Sequence, residues 1–231
     1  IVFTECIEAI SKFFESCVFC RLFFNNFHPC IAGGEKAIQH AVEGAEDDVD
    51  AGRADLVALS LNHNDTDIGI SASGRTPYVS GAVEYARSLG CFTGAIACSP
   101  NAAIFTHADV AICPVVGPEA LTGSTRMKSG TAQKLILNMI STSTMIKLGK
   151  TYQNLMVDVN ATNEKLKARA LRIVMQATDC SENAALAALS ACNNKAKVAI
   201  LIVLTGQSAE QAAAQLDASG GYLRSAVNKS E

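Results

Sequence analysis

Apolar positions along the middle of the chain switch between strand-like runs and helical spacing. In residues 67–90 the short run Ile68-Gly69-Ile70 closes on Ser71-Ala72-Ser73-Gly74-Arg75-Thr76 and Pro77. Beyond it Val79, Ala82, Val83, Ala86 and Leu89 recur at helical spacing until Gly90, which predicts strand, turn and helix in succession. Thr76 is placed as N-cap and Pro77 at the first helical position, where a missing N–H costs nothing. Residues 92–98 and 109–113 read as two more strands, separated by Ser99-Pro100-Asn101 and a short helix reaching His107. Upstream, Gly33 and Gly34 open a helical stretch with Ala37, Ile38, Ala41, Val42 and Ala45 on one side, and residues 54–61 read as a short helix. A long helix begins near Lys128 and runs to about Leu148. Strands alternating with helices predict right-handed crossovers and a parallel α/β sheet, whose ligands bind beyond the carboxyl ends of the strands. Those ends are residues 71–76, 99–101 and the segment from Pro114.

After Gly149 the pattern is helical, with Leu166, Ala170, Ile173, Val174 and Ala177 on one stripe. Three short helices follow at 182–191, 196–204 and 209–218, punctuated by Asn193-Asn194 and Gly206. Residues 1–30 differ from the rest and hold seven of the nine phenylalanines. Ile7, Ile10, Phe13 and Phe14 could share a helix face, but from Cys17 to Cys30 no period is evident. The expected organisation is a divergent segment 1–30, a ligand-binding α/β domain 31–150 and a helical domain 151–231.

Composition narrows the function classes. A chain of 231 residues with 49% hydrophobic content can bury one substantial core and a small second domain. A net charge of −3 and a pI near 5.8 supply no basic field, which argues against nucleic acid or an anionic membrane as partner. Glu5 and Glu8 stand where a secretory leader would be basic, and no run is long and apolar enough for a bilayer. Of nine cysteines, Cys91, Cys98 and Cys113 sit at apolar runs as small hydrophobes, which predicts a reducing, cytoplasmic setting. Cys17, Cys20, His28 and Cys30 could be read as a zinc site, but the His-x-Cys end fits no common structural-zinc spacing, and unpaired thiols are the better expectation.

Candidate chemistry gathers at two helix entrances. The hydroxyls and glycine of residues 71–76 form a plausible phosphate cradle, although Ser/Gly turns join many strands to helices for purely structural reasons. Thr122, Ser124, Thr125, Arg126 and Lys128 gather where the long helix starts, a second candidate anion site that capping would explain equally well. Glu46 is expected near a helix C-terminus, where the dipole favours a held proton and acid/base work. The neighbouring Asp47, Asp48 and Asp50 read as solvated.

Ser71-Ala72-Ser73-Gly74-Arg75-Thr76-Pro77-Tyr78, with Gly117-Pro118-Glu119 and Gly130-Thr131-Ala132-Gln133-Lys134, resembles the N-acetylmuramic acid 6-phosphate etherases of the sugar isomerase (SIS) superfamily. The likeness extends over residues 31–231, through Ala41-Val42-Glu43-Gly44-Ala45-Glu46-Asp47-Asp48, Asn154-Leu155-Met156-Val157-Asp158-Val159 and Gly220-Gly221-Tyr222-Leu223-Arg224. It implies an SIS-type doubly wound parallel sheet flanked by helices, followed by a small C-terminal helical, ubiquitin-associated-like domain. It further implies a cytoplasmic, homodimeric, cofactor-free and metal-free lyase acting on a small sugar phosphate in peptidoglycan recycling. Glu46 matches one of the family's two acid/base glutamates. Ser71, Ser73, Gly74 and Thr76 would hold the phosphate or sugar hydroxyls, with Glu119, Ser124 and Lys128 as further substrate-binding candidates. The family's leading Gly-Thr-Ser-Gly-Arg loop and its Asp-Ala-Ser-Glu-Cys-Pro-Pro segment, with the other glutamate, have no match in residues 1–30, which read as a foreign replacement from a truncated or misjoined reading frame. Competing readings are a non-catalytic sugar-phosphate-binding regulator and an SIS sugar-phosphate isomerase.

Overall fold

The computed structural model describes residues 28–159 and 161–228. It divides into two compact units, residues 1–141 and 142–231. The division falls inside a helix, ahead of the expected boundary at residue 150. Expectations for Cys17, Cys20 and the Ile7–Phe14 helix face concern residues outside those described. Among the described residues no group of three or more His, Cys, Asp or Glu side chains is gathered to hold a metal ion.

The first unit is built on three parallel strands, β1 (Thr66–Ile70), β2 (Phe92–Ile96) and β3 (Val110–Ile112), hydrogen-bonded in the order β1-β2-β3. Among the described residues the order follows the sequence, without the reversal that marks a doubly wound sheet. Helices nonetheless cover both faces. Because side chains alternate along each strand, Ile68, Phe92, Ile96, Val110 and Ile112 share one face, covered by Ile136, Met139 and Ile140 of the long helix. On the other face Gly69 lies under the following helix, so closely that a Cβ would stand 2.4 Å from Val83 Cγ2. Ala95 and Ala97 pack there with Ala102 and Ile104.

Among the described residues three α-helices precede the second strand: α1 (Lys36–Gln39), α2 (Val49–Ala58) and α3 (Pro77–Ser88). The long stretch expected after Gly34 shrinks to the four residues of α1. Gly33, Gly34 and Gly44 all adopt positive φ and bracket it. Its stripe is mostly alanine, and Ile38 is 70% exposed, so there is little buried area to offset the cost of helix nucleation. The helix expected at 54–61 starts earlier, because Asp48 accepts a hydrogen bond from the Ala51 N–H at 2.9 Å and caps α2. Helices α2 and α3 cross in near-backbone contact. A Cβ on Gly52 would lie 2.1 Å from the Tyr78 carbonyl oxygen. α4 (Lys128–Lys147) follows β3 after a 15-residue connection, residues 113–127.

The second unit holds an antiparallel hairpin, β4 (Thr151–Tyr152) and β5 (Leu155–Met156), and helices α5 (Glu164–Thr178), α6 (Glu182–Ala191), α7 (Ala196–Thr205), α8 (Ala209–Ala218) and α9 (Leu223–Asn228). The expected stripe is real: Ala170, Ile173 and Val174 are buried on α5. α7 is the central element, with Ala196, Val198, Ala199, Ile200 and Leu201 buried against the other helices. The hairpin and α9 add to the expected three-helix module. No single helix among the described residues is long and apolar enough to cross a membrane. α6 and α7 together have that length and hydropathy but meet at 117°, and their apolar residues form this core.

Candidate functional site

Parallel strands bring the loops after β1, β2 and β3 to one edge of the sheet. Ladder pairing continues past β1, because the Ser71 N–H donates to the Ile96 carbonyl at 3.0 Å and the Cys98 N–H to the Ala72 carbonyl at 3.0 Å. The chain then folds back on itself around the buried Ser71 hydroxyl. That oxygen accepts from the Gly74 N–H at 2.9 Å and lies 2.8 Å from the Thr76 hydroxyl. Gly74 has φ +68°, and an added Cβ would meet Ala102 Cβ at 2.2 Å. Its carbonyl accepts from the Ile104 N–H at 3.1 Å. Ser73 is exposed at the rim, where its hydroxyl accepts from the Arg75 N–H at 3.2 Å.

Turning the Thr76 hydroxyl toward Ser71 has a consequence for α3. Thr76 is the N-cap residue by position, yet its side chain makes no capping bond. Helices α2, α5, α6 and α8 are each capped by a side chain, from Asp48, Asn163, Ser181 and Ser208. The first turn of α3 therefore presents N–H groups without a side-chain acceptor, at the positive end of a 12-residue helix. Tyr78 anchors that turn from below, donating from its buried hydroxyl to Asp55 Oδ2 at 2.5 Å. Burial first, and the Asp55 bond next, hold that phenol far above its usual titration range.

The entrance to α4 is different, and it corrects the second anion site. Glu119 already fills it: its carboxylate accepts from the Lys128 N–H at 3.0 Å and from the Ser129 N–H at 3.1 Å. Those two backbone bonds lower its pKa, so Glu119 stays an ionised cap and is poorly suited to give up a proton. Lys128 Nζ donates to the Pro118 carbonyl at 2.7 Å, and Ser124 Oγ accepts from the Arg126 N–H at 3.3 Å. These three residues are thus joined to their own loop. An apolar cleft of about 420 Å³ opens beside them, between Val115, Val116 and Met127 of the loop and Leu135 and Met139 of α4. Its walls suit no phosphate.

Glu46 is exposed in a 3-10 turn, Ala45–Asp47, that packs on α3. The turn leads into the N-terminus of α2 and closes no helix, so the dipole reason for placing a proton there does not hold. Two polar residues escaped the sequence reading. Cys98, expected in the core, stands half-buried beyond β2, where burial raises its thiol pKa. Asp67 lies on β1 with one carboxylate oxygen buried and lacking a hydrogen-bond partner. An acid inside an apolar strand was the available signal for it.

Comparison with known proteins supplies the lineage. The N-acetylmuramic acid 6-phosphate etherase of Yersinia pestis (strain Pestoides F) is 60% identical over 197 residues, 85% of this chain and 67% of that protein. That of Serratia proteamaculans (strain 568) is 58% identical over 199 residues, 86% of this chain and 67% of that protein. The chain belongs to the N-acetylmuramic acid 6-phosphate etherase family. A third member, from Pseudoalteromonas atlantica, is 61% identical over 201 residues, 87% of this chain. The chain spans just under two thirds of that protein's length, 66%. A family model described as the glucokinase regulatory protein N-terminal SIS domain matches residues 9–87, which include the whole of the β1 turn.

Proposed function

We propose that this chain carries the sugar-phosphate seat of an etherase that cleaves the D-lactyl ether of N-acetylmuramic acid 6-phosphate. The products are N-acetylglucosamine 6-phosphate and D-lactate. The observation that carries the reading is the uncapped start of α3 behind the turn of residues 71–76. A phosphate there would take the place of the missing cap, receive first-turn N–H groups and meet the hydroxyls of Ser71, Ser73 and Thr76. Gly74 keeps the turn low enough for the anion to approach. The etherase names of the relatives supply the substrate class.

The reaction requires proton transfer and no redox step. In the open-chain sugar the C1 aldehyde acidifies the C2–H. A base takes that proton, the C2–C3 double bond forms as the C3–O bond breaks, and lactate leaves as its oxygen is protonated. Water then adds at C3 and a proton returns to C2. Glu46 is assigned one of these transfers on family position, a reading supported by the packing of its turn, Ala45–Asp47, against α3, the helix that the phosphate turn feeds. The enzyme acts as a homodimer in the cytoplasm, a setting that suits the unoxidised thiols of Cys30, Cys91, Cys98, Cys180 and Cys192.

Lactate release is the test. The Glu46→Gln variant is expected to release lactate about a hundredfold to ten-thousandfold more slowly than the parent chain. Equal rates would remove Glu46 from the mechanism. A second reading, a sugar-phosphate-binding regulator, is favoured by the glucokinase regulatory protein match. It predicts saturable binding of N-acetylglucosamine 6-phosphate with no lactate formed, while an isomerase would instead deliver a ketose phosphate.

A further inference from the structure

Among the described residues one buried side-chain nitrogen has no hydrogen-bond acceptor, Nε2 of Gln133 on α4. Its position follows from the helical period. Ser129, Gln133, Ile136 and Ile140 recur on one face of α4, and Ser129, Ile136 and Ile140 are all buried. Ile136 and Ile140 pack with Ile96 and Ile112, the last residues of β2 and β3. In the other direction along the helix, the Ser129 N–H is tied at 3.1 Å to Glu119, in the loop after β3. Gln133 therefore stands between the isoleucines over the strands and the loop beyond the strands' carboxyl ends, the edge where the turn of residues 71–76 also lies. An amide N–H enclosed without an acceptor weakens the fold, because its bond to water is lost and nothing replaces it. Such a group calls for a reason, and a ligand oxygen is the one its place offers.

We propose that Gln133 is a substrate-binding residue whose Nε2 donates to an oxygen on the sugar end of the sugar phosphate. The proposal rests on the sugar-phosphate reading and extends it to the opposite face of the sheet. α3, which receives the phosphate, covers the face of Gly69, Ala95 and Ala97, whereas α4 covers that of Ile68, Ile96 and Ile112. A ligand held by its phosphate at α3 and lying across the strand ends brings its far end, with neutral hydroxyl and amide oxygens, to α4. A carboxamide can donate to such an oxygen without bringing a charge into the buried layer. The contact acts on the sugar and leaves the phosphate to the turn.

The test compares the parent chain with Gln133→Met and Gln133→Leu, apolar side chains of similar size, in thermal melts without ligand and in titrations with N-acetylglucosamine 6-phosphate and with inorganic phosphate. Both variants are expected to melt about 2–4 °C higher, because the unpaired donor is gone. Both should bind N-acetylglucosamine 6-phosphate about five- to tenfold more weakly, the loss of one hydrogen bond, while inorganic phosphate binds as it does to the parent. Higher stability together with lower affinity is a combination that a packing role does not produce. Unchanged or lower melting temperatures would show that the amide is already paired, and overturn the proposal. Variants that bind the sugar phosphate as tightly as the parent overturn it too and leave the cradle standing. An equal loss for both ligands would trace to a disturbed turn and also overturn it. A parent chain that does not bind the sugar phosphate overturns the sugar-phosphate reading and this contact with it.

Discussion

Gly74→Ala is expected to reduce affinity for N-acetylglucosamine 6-phosphate by about tenfold to a hundredfold, because lifting the turn removes a charge-assisted hydrogen bond to the phosphate. It should also cost about 2–4 kcal/mol of stability, from left-handed strain and overpacking together. The turn cannot absorb a methyl group where it stands. At φ +68° the new Cβ would lie 2.2 Å from Ala102 Cβ and 3.0 Å from Ala97 Cβ, and neither is a flexible chain end. Relief requires lifting residues 71–76 away from residues 102–104, which breaks the bond from the Ile104 N–H to the Gly74 carbonyl and loosens the one from the Gly74 N–H to Ser71. Gly117→Ala is the matched control. It has similar backbone strain at φ +70° but open space around it, so it should cost only about 1 kcal/mol. Denaturant melts and ligand titrations of the two variants read both effects. A Gly74→Ala variant that melts early but binds normally would separate the turn from the ligand.

Asp67→Asn is expected to stabilise the chain at pH 7.5 by about 1–3 kcal/mol and to change it little near pH 4. Burial raises the Asp67 pKa from 3.8 to about 6. The titratable groups around it offer no cation: Asp65, Asp55, Tyr78, Cys30 and Cys91 are all acids, and they couple electrostatically with one another or with Asp67. Below pH 4 the carboxyl is neutral in folded and unfolded chains alike, and it contributes no pH-dependent term. Between pH 4 and 6 the unfolded chain ionises while the folded one keeps its proton, so stability falls as pH rises. Above 6 the deficit is complete and levels off. Melting temperatures from pH 4 to 8 should show this decline in the parent chain and lose it in Asp67→Asn. Parallel curves would show that Asp67 is solvated.

The parts of the fold most legible in the sequence were those where local and tertiary signals agree. Pro77 and Gly90 bracket α3 closely, and the helices at residues 182–191 and 209–218 are found at those bounds because Ser181 and Ser208 cap them. The helix after Gly34 failed because periodicity without apolar area does not hold a helix in water. The hairpin at Thr151–Met156 was illegible, having two residues per strand and too little length to show alternation.

At the candidate site the turn of residues 71–76 was readable as a cradle, but its decisive feature was not. Letters alone show a threonine able to cap α3. Coordinates show its hydroxyl spent on Ser71. The reverse holds at α4, where a run of hydroxyls and cations suggested an open anion site. A carboxylate nine residues upstream of Lys128 closes it, a contact no local pattern could reveal.

Titration of the isotope-labelled chain with N-acetylglucosamine 6-phosphate, followed by backbone amide shifts, tests the central claim most directly. The account predicts saturable shifts concentrated at Gly74, Tyr78 and Val79, reproduced in part by inorganic phosphate and absent with unphosphorylated N-acetylglucosamine. Shifts clustered instead at Lys128 and the apolar cleft, with the amides at the start of α3 unmoved, would contradict it.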